Sequence, residues 1–167
     1  DSKQGLEELR KLGIQTVMLT GDMKASAEIV GKELNLDTIY SELLPGDKVD
    51  KIEELLHKKG KNKNVIFTGD GMNDAPVLAR ADIGIAMGGV GSDAAIEAAD
   101  IVIMTDEPSK IAQAIKIAKH TRKIVTENII LSLGIKFIVL FLVAFGMGSM
   151  WLAIFADVGV ALIAIFN

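Results

Sequence analysis

Apolar and polar residues alternate along residues 1–123 with two different periods. Stretches with the period of an amphipathic helix cover about 2–12, 24–34, 47–60, 91–99 and 108–123. Between them lie short runs rich in Val and Ile, which are TVMLT (16–20), NVIFT (64–68), IGIAM (83–87) and DIVIM (100–104). Short apolar runs separated by helices are typical of strands buried on both faces of a parallel sheet. The pattern therefore predicts an α/β fold for this segment.

Residues 124–167 form a second region, in which the apolar residues are almost uninterrupted. NIILSLGIKFIVLFLVAFGMGS (128–149) is about as long as a bilayer span, which needs roughly 20 residues. WLAIFADVGVALIAIF (151–166) follows, and the glycines of 146–149 predict a tight hairpin between the two runs. We expect two transmembrane helices over 124–167, the second one truncated, after a soluble domain over 1–123. Two core helices of a soluble protein are the alternative.

The charges separate the two regions further. Residues 1–124 carry 17 of the 18 basic and 20 of the 22 acidic side chains, and only Glu127, Lys136 and Asp157 follow. A charge within a span costs roughly 2.5–3.5 kcal/mol on insertion scales, so it is a functional candidate. Lys136 and Asp157 can neutralise each other across an antiparallel hairpin, and Asp157 can then exchange Lys136 for a passing cation. A purely structural ion pair is the alternative.

Composition excludes several other functions. The formal net charge is −4, which gives no basic footprint for nucleic acid. The chain has no cysteine, so disulfides and thiolate metal sites are excluded within it. It begins with Asp1 rather than Met, which suggests a fragment, with processing as the alternative.

Acidic and amide side chains follow two of the predicted strands. Thr20-Gly21-Asp22 ends the first run, while Asp70, Asn73 and Asp74 end the second. The carboxyl ends of parallel strands meet at one edge of a sheet, so these groups are expected on one rim. A carboxylate on a strand end is a hard oxygen ligand suited to Mg²⁺, and Asp70 is the best placed. The hydroxyl of Thr20 and the amide of Gly21 can donate to a phosphoryl oxygen.

Lys48, in LLPGDKVDKI, is expected near the start of a helix, where it can bring a positive charge to the same phosphoryl group. Each of these pieces is ordinary when taken alone. Together, in this order on successive strand ends, they predict a site for Mg²⁺ and phosphate.

MLTGD, LLPGDK, FTGDGMNDAPVLARADIGIAMG and AAIEAADIVIM resemble the phosphorylation domain of P-type cation-transporting ATPases, which belongs to the haloacid-dehalogenase class. The resemblance implies a Rossmann-like parallel sheet of that class followed by two transmembrane helices. It also implies that Thr20 and Lys48 hold an aspartyl-phosphate and that Asp70 binds Mg²⁺. Asn73 and Asp74 would complete the site, and Asp22 belongs to the same loop as Thr20.

The tail resembles the zinc/cadmium/lead-exporting branch of the heavy-metal ATPases. That branch is marked by a Lys in the penultimate helix and by DxG in the last one, here Asp157-Val158-Gly159. The resemblance implies that Asp157 binds the transported Zn²⁺, Cd²⁺ or Pb²⁺ and that Lys136 is its counter-ion. A carboxylate without thioethers also argues against Cu(I).

The sequence DKTGT, which carries the phosphorylated Asp in that family, does not occur in this chain. We therefore expect the C-terminal part of an exporter, inactive alone, whose partners are the missing N-terminal part, the lipid bilayer and the metal cation. ATP would be bound mainly by the missing domains. A basic cluster at 119–123 places residues 1–123 in the cytoplasm of a multi-pass protein of the plasma or inner membrane. A soluble phosphatase of the same fold and a non-catalytic partner of a split pump are the rivals.

The segment MGGVGSDAA (87–95) could also be interpreted as a dinucleotide-binding loop, because its glycines follow a strand and precede a helix. The spacing is not GxGxxG, however, and no acidic residue ends a following strand in the expected role. A tight strand-to-helix turn is the preferred interpretation.

Overall fold

The computed structural model describes residues 1–69, 72–88 and 93–167. These residues divide into two compact units, Asp1–Gln113 and Ala114–Asn167. The boundary falls within one long helix, and each unit has its own architecture.

The first unit is built from strands that alternate with helices. Its elements are α1 (Ser2–Lys11), β1 (Val17–Leu19), α2 (Lys24–Glu33), β2 (Thr38–Tyr40), α3 (Pro45–Lys58), β3 (Ile66–Gly69), a 3-10 turn (Met72–Asp74), α4 (Ala75–Arg80), β4 (Ile83–Met87), α5 (Asp93–Ala98) and β5 (Ile101–Ile103). Within the described residues, β1 pairs with β2, and β3, β4 and β5 form a second sheet in that order. All three pairings are parallel, which confirms the predicted α/β class.

Burial in these sheets is less complete than the sequence predicts. Strand β4 has a buried core that includes Ile85, but Val17 of β1 and Ile101 of β5 are each 39% exposed. The expectation of strands buried on both faces is therefore wrong for β1 and β5. The physical reason is that, within the described residues, both strands lie at the edge of their sheets.

The core of the first unit lies where α4 packs on β4. Val77 and Leu78 of α4 are buried against this strand. A Cβ at Gly84 would lie 2.6 Å from the carbonyl oxygen of Leu78, so only glycine permits this approach. The contact fixes α4, and with it the loop after β3 that carries Asp74.

Two short elements, β2 and α4, are absent from the sequence expectation. Strand β2 has only three residues, TIY, which is too short for a periodic pattern. Helix α4 has a proline in its first turn, at Pro76, which looks like the end of a loop in sequence but is well suited to a helix start.

The second unit is a helical hairpin. Helix α6 (Ser109–Ala144) is one continuous helix of 36 residues, and α7 (Met150–Ile154), a π-helical turn (Phe155–Gly159) and α8 (Val160–Ile165) follow. The predicted separation of a helix over 108–123 from a span over 128–149 is wrong, because residues 124–127 contain no glycine or proline that would stop the helix. The predicted break at 146–149 is confirmed, because α6 ends at Ala144, α7 begins at Met150, and Gly146 has a φ of +75°.

Among the described residues, α6 is the one helix that is both long and apolar enough to cross a membrane. The apolar segment Met150–Ile165 is shorter. Most large side chains of both helices are exposed, for example Phe137 and Phe141 of α6 and Trp151 of α7. A small core containing Val139 and Val160 lies inside the hairpin.

Candidate functional site

The loop after β1 carries the first group of predicted site residues, and Thr20 and Asp22 within it are hydrogen-bonded. The backbone N–H of Thr20 donates to the carbonyl of Tyr40 at 2.9 Å, which extends the β1–β2 pairing by one residue. The Thr20 hydroxyl donates to the Asp22 carboxylate at 2.7 Å and accepts from the Asp22 N–H at 3.1 Å. Asp22 therefore fixes the direction of this hydroxyl, which must turn away from Asp22 to reach a phosphoryl oxygen.

The same loop is tied to the segment that leads into α3. Leu43 N–H donates to the carbonyl of Thr20 at 3.1 Å, and Glu42 N–H donates to that of Asp22 at 2.9 Å. A Cβ at Gly21 would lie 3.2 Å from the Leu43 carbonyl, so the small residue keeps the two segments close. The loop after β1 and the start of α3 thus form one connected edge.

Helix α3 brings Lys48 into this edge. The helix begins at Pro45, and the Asp47 carboxylate accepts from the Leu44 N–H at 2.9 Å, which satisfies a free donor at the helix start. Lys48 therefore lies in the first turn of α3, as predicted. Its ammonium contacts the Asp74 carboxylate at 2.9 Å across 26 residues of sequence, and the two side chains are only 20% and 14% exposed.

Asp74 reaches Lys48 from a position close to the end of β3. The 3-10 turn Met72–Asp74 folds back so closely that a Cβ at Gly69 would lie 2.9 Å from the Asp74 Cβ. Asn73, in the same turn, is exposed. The structure therefore joins Lys48 to Asp74, and joins Thr20, Gly21 and Asp22 to the segment before Lys48.

Asp70, the predicted Mg²⁺ ligand, lies outside the described residues. Gly89 and Gly91 of the glycine cluster lie outside them as well. Within residues 1–69, 72–88 and 93–167, no group of three or more His, Cys, Asp or Glu side chains is close enough to hold a metal ion. The carboxylate of Asp74 remains a suitable donor, because Mg²⁺ takes one or two protein carboxylates and completes its shell with water and phosphate oxygens.

This edge combines the groups that phosphoryl chemistry uses. A hydroxyl, backbone amides and a lysine ammonium can stabilise negative charge on a phosphoryl oxygen, while a carboxylate can hold a cation beside it. The ammonium of Lys48 is partly shielded from water by the protein, so its attraction for an anion is stronger than at a free surface. Such an edge is suited to binding a phosphoryl group and its counter-ion.

The hairpin contains the second candidate group. Lys136 of α6 and Asp157 of the π-helical turn are 3.3 Å apart, which confirms the predicted ion pair. A Cβ at Gly159 would lie 2.7 Å from the Phe155 ring, so the glycine allows this ring to lie against the turn. π-Helical turns are rare and are frequent at functional sites.

Sequence reasoning missed two features of the hairpin. Asn128 donates to the carbonyl of Ala164 at 3.0 Å and accepts from the amide of Asn167 at 3.0 Å, which links α6 to the end of α8. An amide at the start of an apolar run was the available signal for this contact. The π-helical turn has no comparable signal, since FADVG also fits an ordinary α-helix.

Comparisons with known proteins bear on both units. The haloacid dehalogenase-like hydrolase family matches residues 1–82. A cadmium, zinc and cobalt-transporting ATPase of Bacillus subtilis is 60% identical over the whole chain, and a zinc-transporting ATPase of Synechocystis is 56% identical. The chain is therefore similar to one segment of metal-transporting ATPases. It spans about a quarter of these relatives, 24% and 23% of their lengths.

A solved heavy-metal P-type ATPase has the same architecture. The crystal structure of a zinc-transporting PIB-type ATPase in an E2.Pi state superposes with a TM-score of 0.88 at 36% identity, over 97% of this chain and 26% of that one. A 3-deoxy-D-manno-octulosonate 8-phosphate phosphatase from Moraxella catarrhalis, 21% identical with a TM-score of 0.57 over 68% of this chain and 67% of that one, shares the fold of the first unit. The first unit thus has a haloacid-dehalogenase-type fold, and the helical hairpin follows it in the chain.

Proposed function

We propose that this chain supplies two working parts of an ATP-driven exporter of Zn²⁺, Cd²⁺ or Pb²⁺. One part is the phosphate-binding edge of the first unit, and the other is the intramembrane ion pair of the hairpin. The observation that carries the proposal is the contact of 3.3 Å between Lys136 and Asp157 within an otherwise apolar hairpin. Similarity to named zinc and cadmium transporters supports the metals.

In this proposal an aspartate outside the chain accepts the γ-phosphoryl group of ATP, which is bound mainly by other parts of the pump. Thr20, the Gly21 amide and Lys48 bind the phosphoryl oxygens, and Asn73 contacts the same group. Asp22 accepts a hydrogen bond from the Thr20 hydroxyl until the phosphoryl group arrives, and the hydroxyl then turns from the carboxylate to a phosphoryl oxygen.

Asp70 and Asp74 hold the Mg²⁺ ion, which offsets the charge of the phosphoryl group when it is bound. The contact between Lys48 and Asp74 supports this role, because it places a cation and a carboxylate side by side at the edge. When a phosphoryl group and Mg²⁺ bind, the contact between Lys48 and Asp74 can be exchanged for two new ones. The ammonium then contacts a phosphoryl oxygen, and the carboxylate contacts the metal.

In the hairpin, Asp157 binds the transported metal. When the metal leaves, the ammonium of Lys136 pairs with the Asp157 carboxylate. A carboxylate with an ammonium at contact distance can exchange one cation for the other without leaving a bare charge in the membrane. Metal release and ion-pair formation are then two halves of one step.

The proposed location is a multi-pass membrane protein of the plasma or inner membrane. Helix α6 enters the bilayer after its basic segment, so residues 1–123 lie in the cytoplasm by the positive-inside rule. The partners are the bilayer, the transported cation and the rest of the pump. A soluble phosphatase would need no detergent for extraction, whereas a pump segment or a non-catalytic membrane partner would.

The test is Asp157→Ala in the full-length pump, reconstituted in lipid. We expect zinc-stimulated ATP hydrolysis to be abolished, because the metal loses its carboxylate ligand. Glu127→Ala is the matched control, since Glu127 is the other acidic residue after residue 124 and lies outside the ion pair. Unchanged zinc stimulation in Asp157→Ala would contradict the metal-site assignment.

A further inference from the structure

The basic segment of α6 contains a surface that the proposed pump chemistry does not use. Residues 108–126 carry five lysine and arginine side chains and no acidic ones. At the end of this segment, and extending to the next residue, an open depression of about 340 Å³ is lined by Lys119, Arg122, Lys123, Thr126 and Glu127. We refer to these five residues as the basic cleft.

The charges within the cleft do not cancel. Lys123 lies 3.7 Å from Glu127, which offsets its charge in part. Neither Lys119 nor Arg122 has an ion pair within the part of the chain that the structure describes. The Thr126 hydroxyl donates to the carbonyl of Arg122 at 2.8 Å, so it does not compete as a donor. The ammonium of Lys119 and the guanidinium of Arg122 are therefore the donors available to an anion.

The position of the cleft indicates which anion it meets. Residues 128–144, which follow it directly, form a helix of about 25 Å at 1.5 Å per residue, close to the roughly 30 Å hydrocarbon core of a bilayer. Lys123 stands five residues before Asn128, or about 7 Å, which corresponds to the headgroup layer.

The neighbouring apolar side chains fit the same occupant. Val125, Ile129 and Ile130 are exposed on α6 directly beside and below the cleft. A free phosphate ion has no use for such a surface, whereas a phospholipid places its phosphate in the cleft and its acyl chains against these residues.

We propose that the basic cleft binds the headgroup of an anionic phospholipid, with Lys119 and Arg122 holding the phosphate. Glu127 remains paired with Lys123 and forms the membrane-side border of the site. The inference rests on the proposed insertion of α6 into a bilayer, because the headgroup layer defines the height of the cleft. It implies that the first residues of the span are anchored to an acidic leaflet.

The test uses the full chain in phosphatidylcholine nanodiscs and takes advantage of the absence of cysteine. A fluorophore is attached to Thr121→Cys, beside the cleft, and quenched by nitroxide-labelled phosphatidylglycerol or phosphatidylcholine. We expect phosphatidylglycerol to quench at a roughly tenfold lower mole fraction, as two basic groups near an acidic surface allow. The variant Lys119→Gln/Arg122→Gln is expected to reduce this preference to less than about twofold.

The control is Lys24→Gln/Lys61→Gln, which removes the same charge from exposed sites in the first unit. An equal loss of preference in this control would overturn the proposal in favour of diffuse attraction. Loss of the preference on adding millimolar inorganic phosphate, at constant ionic strength, would overturn it in favour of a free anion.

A second reporter separates this inference from the proposed function. Phe137→Cys, in the middle of the span and exposed, is labelled and quenched by acyl-chain-labelled phosphatidylcholine. Quenching there without a phosphatidylglycerol preference at position 121 would overturn the lipid site and leave the membrane assignment standing. No quenching at position 137 would overturn both.

Discussion

Each unit of this chain contains one lysine–aspartate contact central to its proposed role, and the surroundings of the two contacts differ. Lys48 and Asp74 are 2.9 Å apart, with side chains 20% and 14% exposed, so the first unit itself shields them. Lys136 and Asp157 are 3.3 Å apart, with side chains 55% and 75% exposed on the hairpin. The same kind of ion pair is therefore shielded by protein in the first unit and exposed on the surface of the hairpin.

The difference shows what each pair needs. A shielded pair has lost much of its water, so removal of one partner leaves a poorly solvated charge. An exposed pair in water would contribute little, but in hydrocarbon each charge is costly unless a partner or a polar cavity compensates. The first pair depends mainly on its own unit, whereas the second depends on what surrounds the hairpin.

The largest expected effect concerns the shielded pair. Lys48→Ala in the full-length pump removes the positive charge of the phosphate-binding edge and leaves Asp74 without its cation. We expect the rate of ATP hydrolysis to fall roughly 100- to 1,000-fold, as when one stabilising donor is removed from a preorganised site. The measurement is steady-state ATPase activity at saturating zinc.

The matched control for this variant is Lys51→Ala. Lys51 belongs to the same helix but pairs with Glu54 and lies over the Tyr40 ring at 4.5 Å, so it does not contact the edge residues. We expect less than about a twofold change in activity there, within the range of surface ion pairs. Equal losses in the two variants would mean that α3 matters only as a scaffold.

The exposed pair gives the next largest effect, and of a different kind. If Asp157 binds the metal as proposed, the metal in Lys136→Ala no longer competes with an ammonium for that carboxylate, so zinc should bind more tightly and leave more slowly. We expect roughly a tenfold higher affinity, within the usual range for coupled ligands, together with a lower turnover. Equilibrium zinc binding and zinc-stimulated turnover of the full-length pump measure the two changes.

Lys136→Arg keeps the charge and serves as the control for that variant. It should retain zinc affinity within about twofold, although a planar guanidinium does not replace an ammonium in every respect. An unchanged zinc affinity in Lys136→Ala would show that the pair of Lys136 and Asp157 is only a structural contact. The two lysine–aspartate pairs would then no longer be comparable in function.

The shielded pair was only partly predictable from sequence. The strand-end positions of Thr20 and Asp74 and the helix-start position of Lys48 follow from local patterns, which is why their shared edge could be expected. The contact between Lys48 and Asp74 could not, because it depends on the tight approach at Gly69 and on how α3 packs against α4. Local periodicity contains no information on that approach.

The hairpin shows the opposite balance. Lys136 and Asp157 stand out as charges in apolar runs, and the antiparallel arrangement brings such residues together, so the pair itself was predictable. The continuity of α6 through residues 124–127 and the π-helical turn around Asp157 were not. Neither feature leaves a distinctive sequence pattern, because many sequences fit either backbone geometry equally well.

A smaller effect is expected at Asp82, whose contacts in the first unit are also partly shielded. Its carboxylate accepts from the ammonium of Lys59 and from the Val65 N–H at 2.7 Å, and these hydrogen bonds, that of Lys59 first, hold the pKa of Asp82 below its ordinary value of 3.8. A pKa that is lower in the folded state stabilises the fold at pH values above the ordinary pKa. This stabilisation is lost as the pH falls through the folded-state pKa.

Asp82→Asn should therefore lower the protection of β3 and β4 amides at pH 7 by about 1 kcal/mol, the usual net value of such a bond. The difference from the original chain should shrink below about pH 3.8. Hydrogen exchange, corrected for intrinsic rates, measures both, with Asp50→Asn as the control on exposed α3. A difference that persists undiminished at low pH would show that the ionised carboxylate is not the source.

The smallest effect is expected for the neutral contacts of the hairpin. Asn128→Leu replaces the amide with an apolar side chain and removes the bond to the Ala164 carbonyl, at the end of α8, and the bond from Asn167. Hydrogen bonds between membrane helices average about 0.6 kcal/mol, because the separated helices find other partners. We expect the free energy of unfolding to fall by this amount. Unfolding by SDS, followed by the fluorescence of Trp151, the single tryptophan, measures it. Ser132→Ala is the control. A loss larger than that of Asp82→Asn would reverse the comparison, because the hairpin would then be held more strongly by its own polar contacts than the first unit is.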